Sequence, residues 1–209
     1  MGKIEDIHKL AISQIGYQEA PNGYNKYNLA YYGRNSSAAW CVTFDWWLFN
    51  QTGNSDLFYG GGKINGCGRL WDWYVANQPD CIVKSKIPIL GDLVLFTFGK
   101  PHEHIGWCES FNGNQVTSID GNTSEVGSQD NGGHVLRRTR GKSCIWGVIR
   151  PRYNEQPQPV PEEVWYTVVK GDSLYKIGKK FGVPWQSIAE LNGIKSPYTI
   201  YPNQKLRIK

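Results

Sequence analysis

AAWCVTFDWWLFNQTG, residues 38–53, decides how this chain is read. Cys41, Phe44, Leu48 and Phe49 recur at intervals that place them on one side of a helix, and Gly53 supplies its stop. The spacing therefore predicts an amphipathic helix with Cys41 in its first turns. A cysteine reacts as its thiolate, and the partial positive charge and free N–H groups of a helix N-terminus lower a thiol pKa. The same N–H groups suit an oxyanion forming on an attacked carbonyl. A cysteine on an apolar helix face is also an ordinary small core residue. Cys41 thus reads as a nucleophile only if a base folds next to it.

Downstream, LGDLVLFTF (90–98), HIGWCESF (104–111), QVTSID (115–120) and CIWGVIRP (144–151) are short β-branched and aromatic runs separated by turns such as FNGN and DNGG. That pattern predicts an antiparallel sheet. If the second and third runs are neighbours joined by FNGN, His104 at the start of one lies near Asp120 and Asn122 at the end of the other. A Cys, a His and an Asp or Asn then share one end of the sheet. The histidine takes the thiol proton and returns it to a leaving amine, while the acid or amide fixes the ring. His102, two residues earlier in the loop KPHEH, competes for the same role. His8 and His134 read as surface residues, and Cys67, Cys81, Cys108 and Cys144 as thiols whose replacement costs stability at most.

Working outward, Ile4, Ile7, Ala11 and Ile15 form one face of an N-terminal helix closed by Gly16. The first 60 or so residues read as helical and the next 90 as β-rich, giving an α+β domain over residues 1–153. NEQPQPVPEEV, residues 154–164, reads as a stiff connector because of its prolines and lack of large apolar side chains. Residues 165–209 read as strand, helix, helix, strand: WYTVV, SLYKIGKKF closed by Gly182, WQSIAELN closed by Gly193, and KLRIK. Leu174, Ile177 and Phe181 on one helix and Trp185, Ile188 and Leu191 on the other give each an apolar face.

Composition sets the class. The 209 residues include 9 Trp, 12 Tyr and 24 Gly with 40% hydrophobic content, which describes a folded protein rich in aromatic surface and turns. The net charge of +5 favours polyanionic surfaces such as wall polymers, without the dense basic patches of nucleic-acid domains. Five cysteines, an odd number without CxxC spacing, argue against a zinc ribbon or a complete disulfide framework. MGKIEDIHKLAISQIG lacks the apolar core of a secretory signal, and no apolar run of about 18 residues exists. The expectation is synthesis in a reducing cytoplasm, even for a protein that works outside it.

The runs KYNLAYYGRNSSAAWCVTFDWW, PILGDLVLF, HIGW, VTSIDGNTS and WGVIRPRY resemble, in order and spacing, the CHAP domains of phage endolysins and bacterial autolysins. The resemblance covers nearly all of residues 1–153. It implies a papain-like fold in which Cys41 is the nucleophile, His104 the base and Asp120 the orienting acid, with Asn122 matching an asparagine often found two residues on. Some members hold calcium in an acidic DxDxDG-like loop before the cysteine. NGYNKYN (22–28) stands there without a carboxylate.

The sequence from Tyr166 to Lys209 resembles a LysM module along its whole length. The resemblance implies a shallow groove for N-acetylglucosamine-containing glycans, formed by Gly171, Asp172, Ser173 and Leu174 on one side and Asn192, Ile194, Ile200, Tyr201 and Pro202 on the other. The family usually has Gly where Asn203 stands, and Asn tolerates the left-handed backbone of such a turn. Ser173 also suits a helix cap, and Leu174 a core position.

Together these features imply a peptidoglycan hydrolase that cleaves an amide of the stem peptide or cross-bridge, as N-acetylmuramoyl-L-alanine amidase or endopeptidase, without cofactor or metal. Its partners are then wall peptide at the first domain and wall glycan at the second, with neither nucleic acid nor membrane insertion. The competing readings are a papain-like peptidase of proteins, a non-catalytic glycan-binding protein, and a metal hydrolase on His102, Glu103 and His104. The last lacks a helix and a further ligand.

Overall fold

The computed structural model describes residues 4–125, 132–153 and 164–208. The chain falls into two compact units, Met1–Pro159 and Val160–Lys209. The connector expected at 154–164 lies outside the described residues except for Val164.

In the first unit, helices α1 (Ile4–Gln14), α2 (Lys26–Tyr32), α3 (Cys41–Gln51) and α4 (Cys67–Asn77) precede strands β1 (Leu93–Phe96), β2 (His104–Phe111), β3 (Gln115–Thr123), β4 (His134–Gly141) and β5 (Ile145–Ile149). The strands form one antiparallel sheet in the order β4-β3-β2-β1-β5. This is the α+β fold read from the sequence. Two elements depart from that reading. α4 lies inside the span expected to be β-rich, because Leu70 and Tyr74, one turn apart, are both buried. β4, HVLRRTRG, lengthens the sheet beyond β3, and its four polar or charged interior positions hide the strand pattern.

Leu93, Leu95, Ile105, Trp107, Ile119 and Ile149 join Ile4, Ile7, Ala11, Phe44, Leu48 and Phe49 in the principal core, between sheet and helices. Alternation sends Val94, Phe96, Cys108, Val116, Ile145 and Val148 to a smaller cluster. Two glycines permit close approach. A Cβ at Gly121 would lie 2.4 Å from Phe44 Cβ, so α3 settles on β3 only because residue 121 has no side chain. A Cβ at Gly106 would meet the carboxylate of Asp120 on the neighbouring strand.

The entry into α3 is fixed by buried groups. Asn28 donates through Nδ2 to the carbonyls of Ser36 (3.2 Å) and Ala38 (2.7 Å), and its Oδ1 accepts from the Thr43 hydroxyl at 3.0 Å. Trp40 stacks on Tyr27 with ring centroids 5.0 Å apart, and Tyr27 meets Phe44 edge-on at 5.1 Å. Such pairs contribute about 0.5–1.5 kcal/mol each beyond area burial, enough to hold the residue before Cys41 in one place.

The second unit pairs β6 (Trp165–Thr167) with β7 (Lys205–Arg207) and packs α5 (Leu174–Phe181) and α6 (Trp185–Leu191) against them. Val168, Leu174, Ile177, Ile188, Ala189, Leu206 and Ile208 are its buried core. Gly182 closes α5 in the left-handed conformation, φ 67°. Asn203 takes φ 71°, as the missing glycine required.

Candidate active site

Cys41 is the first residue of α3, and no side chain caps that helix N-terminus. Its leading N–H groups are free of helical partners, and none of its first-turn residues is acidic. His104 opens β2 and Asp120 lies late in β3, and the antiparallel register Trp107↔Ile119 brings those ends together. His104 Nε2 sits 3.1 Å from Asp120 Oδ2, with both side chains fully buried. The other ring nitrogen, Nδ1, is buried without a hydrogen-bond partner.

Charges order this cluster. Burial alone would push the Asp120 carboxyl up, but Arg140 and His104 hold it below the usual carboxylate range. The guanidinium of Arg140 on β4 lies 2.6 Å from Asp120 Oδ2 and 4.4 Å over the ring of Phe96. Burial would lower His104, yet the bond to Asp120 and the neighbouring Cys41 carry it up to about 9. The Cys41 thiol falls well below its ordinary range. Its contact with Cys67 acts first, against burial, with His104 and the Val42 N–H adding to it. At neutral pH the arrangement favours a thiolate beside an imidazolium.

Of the expected residues, Cys41, His104 and Asp120 are therefore brought together. Asn122 is not turned to the histidine through its oxygen: it adopts φ 56° and its Oδ1 accepts the Gly133 N–H at 3.3 Å. His102 packs against Trp146, ring centroids 3.6 Å apart. His8 and His134 are half-buried rather than at the surface, and His8 stacks on Trp107. Among the described residues no group of three or more His, Cys, Asp or Glu is placed to hold a metal ion.

The sequence reading missed three members of the site. Arg140 was hidden in an unrecognised strand. Asp45, one turn after Cys41, is fully buried with neither carboxylate oxygen hydrogen-bonded, and burial followed by the charges of Cys41 and Asp120 raises its carboxyl well above the usual range. Cys67, expected to matter only for stability, has its Sγ 3.9 Å from Cys41 Sγ. A depression of about 490 Å³ lined by Gln18, Glu19, Ala20, Pro21 and Gly132 adjoins this region, and Glu19 Oε2 also accepts the Trp40 indole N–H at 2.7 Å.

In the second unit, the residues expected to bind glycan divide. Ser173 caps α5 by accepting the Lys176 N–H, and Leu174 is core. Asp172 accepts from the Val169 N–H and the Tyr166 hydroxyl, both at 2.9 Å. Asn192 bridges α6 and β7 through Ile188 and Arg207. Ile194 and Ile200 pack partly against the core. Gly171, Tyr201 and Pro202 are exposed, Tyr201 by 67%.

The CHAP domain family matches residues 31–122 and the LysM domain family residues 166–209. Over 43 residues, 21% of this chain, the sequence is 49% identical to the uncharacterized lipoprotein YgeR of Escherichia coli (strain K12) and to the N-acetylmuramoyl-L-alanine amidase sle1 of Staphylococcus epidermidis (strain ATCC 35984). It is 48% identical over 44 residues to sle1 of Staphylococcus aureus (strain USA300). The matches span only 17%, 13% and 13% of those relatives' lengths. Among solved structures, the wild-type endolysin LysIME-EF1 aligns with a TM-score of 0.45 at 16% identity, over 96% of this chain and 91% of that one. Ly7917 aligns at 0.44 and 13%, over 80% and 66%.

Proposed function

We propose, on the premise that the chain joins a CHAP domain to a LysM domain, that it hydrolyses peptidoglycan by cysteine nucleophilic catalysis. The observation that carries this reading is the buried His104, tied through Nε2 to Asp120 and close enough to Cys41 to help lower its thiol. In this reading the Cys41 thiolate attacks an amide carbonyl, and the N–H groups at the start of α3 stabilise the oxyanion. His104 passes its proton to the leaving amine, so a thioester remains. His104 then takes a proton from water, and hydroxide attack on the thioester frees the acid. Asp120, itself anchored by Arg140, keeps the ring oriented and the imidazolium stable. Asn122 instead holds Gly133, just before β4, against the end of β3. The depression next to Glu19 gives the peptide an approach.

The LysM unit supplies attachment to N-acetylglucosamine-containing wall glycan. Exposed Gly171, Tyr201 and Pro202 make the contact, and Asp172, Ser173, Leu174, Asn192, Ile194 and Ile200 shape the loops beneath. A weak glycan site joined covalently to the catalytic unit raises local concentration without any new catalytic contact. The likeness to proteins named amidase spans 43 or 44 residues and leaves the bond cut, muramoyl–alanine or peptide, to experiment.

The test is mass spectrometry of purified peptidoglycan digested by the wild-type chain and by Cys41→Ser. The expected result is fragments with new N-acetylmuramic acid carboxyl-side termini or new peptide amines from the wild type and none from the variant. Release of the same fragments by a folded Cys41→Ser protein sinks the mechanism.

A further inference from the structure

We propose that Cys41 and Cys67 form a reversible disulfide, an oxidative modification site through which hydrogen peroxide withdraws the Cys41 thiol. Cys41 is the first residue of α3 and Cys67 the first residue of α4, so the two helix N-termini converge on one sulfur pair 3.9 Å apart. A disulfide needs a separation near 2.05 Å, so the sulfurs have roughly 2 Å to close as the bond forms. Gly66, at φ 108°, sets the tight entry that aims Cys67 at Cys41. The two residues are buried, 7% and 6% exposed, which suits a small peroxide better than a bulky disulfide.

The chemistry runs in two balanced steps. The Cys41 thiolate attacks peroxide: the O–O bond breaks, an S–O bond forms, and the departing hydroxide takes a proton to become water. Cys41 is now a sulfenic acid, oxidised by two electrons as the peroxide is reduced. Cys67 sulfur then attacks Cys41 sulfur, the S–O bond breaks, and hydroxide leaves as water with the Cys67 proton. Cys67 begins as a poor nucleophile because its contact with the Cys41 sulfur, then burial, push its thiol well up. Once Cys41 carries no charge the largest of these influences is removed, leaving burial and Asp45, and the adjacent Cys67 sulfur is placed to make the second step. Burial also raises the thiols of Cys81 and Cys108, which leaves them weak competitors for peroxide.

The crosslink stands on the geometry of the two thiols; its effect on lysis rests on the reading of Cys41 as nucleophile. The full chain is treated with hydrogen peroxide, its free thiols are alkylated, and it is digested with trypsin. Cleavage after Arg34, Lys63 and Arg69 puts Cys41 in residues 35–63 and Cys67 in residues 64–69. The expected result is a linked pair of these peptides that separates on dithiothreitol. Lysis by the wild type falls at least ten-fold with peroxide and returns with dithiothreitol. Cys67→Ser, scored against its own reduced activity, loses lysis without recovery, because an unresolved sulfenic acid passes to irreversible states. Absence of the linked pair, or full recovery of Cys67→Ser, overturns the proposal. The peptide map needs only the wild type, so it decides even if the variant fails to fold. A Cys41→Ser protein that still lyses cells instead refutes the nucleophile, and leaves the map to judge the crosslink.

Discussion

A Cβ at Gly106 would lie 2.0 Å from Oδ1 of Asp120, so the position of the acid that holds His104 depends on the absence of a side chain one strand away. Gly106→Ala is therefore expected to push Asp120 off the imidazole. Because the orienting group governs tautomer and tilt, a loss on the order of 10²-fold in lysis rate is expected. Circular dichroism should show the sheet retained. Undiminished lysis by this variant would remove Asp120 from the mechanism.

The pair of Cys41 and His104 sets the pH dependence. His104 is protonated up to about 9, so the imidazolium, and with it the active ion pair, is lost as pH rises through that value. The kcat/KM profile on a soluble wall fragment should fall on its alkaline side near pH 9. Asp120→Asn removes the main upward influence on the ring, which moves that limb to lower pH. A limb that stays in place in the variant contradicts the role given to Asp120.

Replacing His104 by Ala should match the damage of Cys41→Ser, because the base serves both proton transfers. His102→Ala should be mild in activity, since its ring rests on Trp146. Asn122→Ala should lower Tm more than it lowers kcat, since its Oδ1 holds Gly133. An essential His102 would show that the catalytic base has been misassigned.

Asp45 carries a cost that a neutral isostere avoids. Its folded-state pKa is raised above the unfolded value, so its contribution to stability is present at low pH and lost as pH rises. Asp45→Asn should raise Tm at pH 8 by at least roughly 2 °C, the shift that about 1 kcal/mol produces in a chain of this size. The gain should shrink toward pH 4. A variant less stable than the wild type at pH 8 would mean that the carboxylate has a favourable partner.

Tyr201, exposed by 67%, tests the glycan assignment. Tyr201→Ala in the full chain should weaken retention on insoluble chitin at high salt, where electrostatic attraction to the wall is screened, while leaving cleavage of soluble fragments unchanged. Equal retention of variant and wild type would place glycan contact elsewhere. Leu174→Ala should lower stability instead, because Leu174 is core.

Local signals were enough for much of this protein. The three- and four-residue spacing of Cys41, Phe44, Leu48 and Phe49 is a property of one helix, and the turn after β2 makes β2 and β3 neighbours, so a grouping of Cys41, His104 and either Asp120 or Asn122 was legible in the sequence. Gly182 and Ser173 likewise mark the ends of α5 by local backbone chemistry. What only the tertiary structure decided involves partners distant in sequence with no periodic trace. Arg140 reaches Asp120 because β4 pairs with β3, and a buried arginine in a charged strand looks like a solvated one until that pairing exists. Cys67 meets Cys41 because two helix starts converge across 26 residues, which neither helix's own pattern encodes. That His104 meets the Asp120 carboxylate while the Asn122 oxygen meets Gly133 turned on side-chain direction at a strand end with a left-handed residue, where the alternation that guides strand reading breaks down.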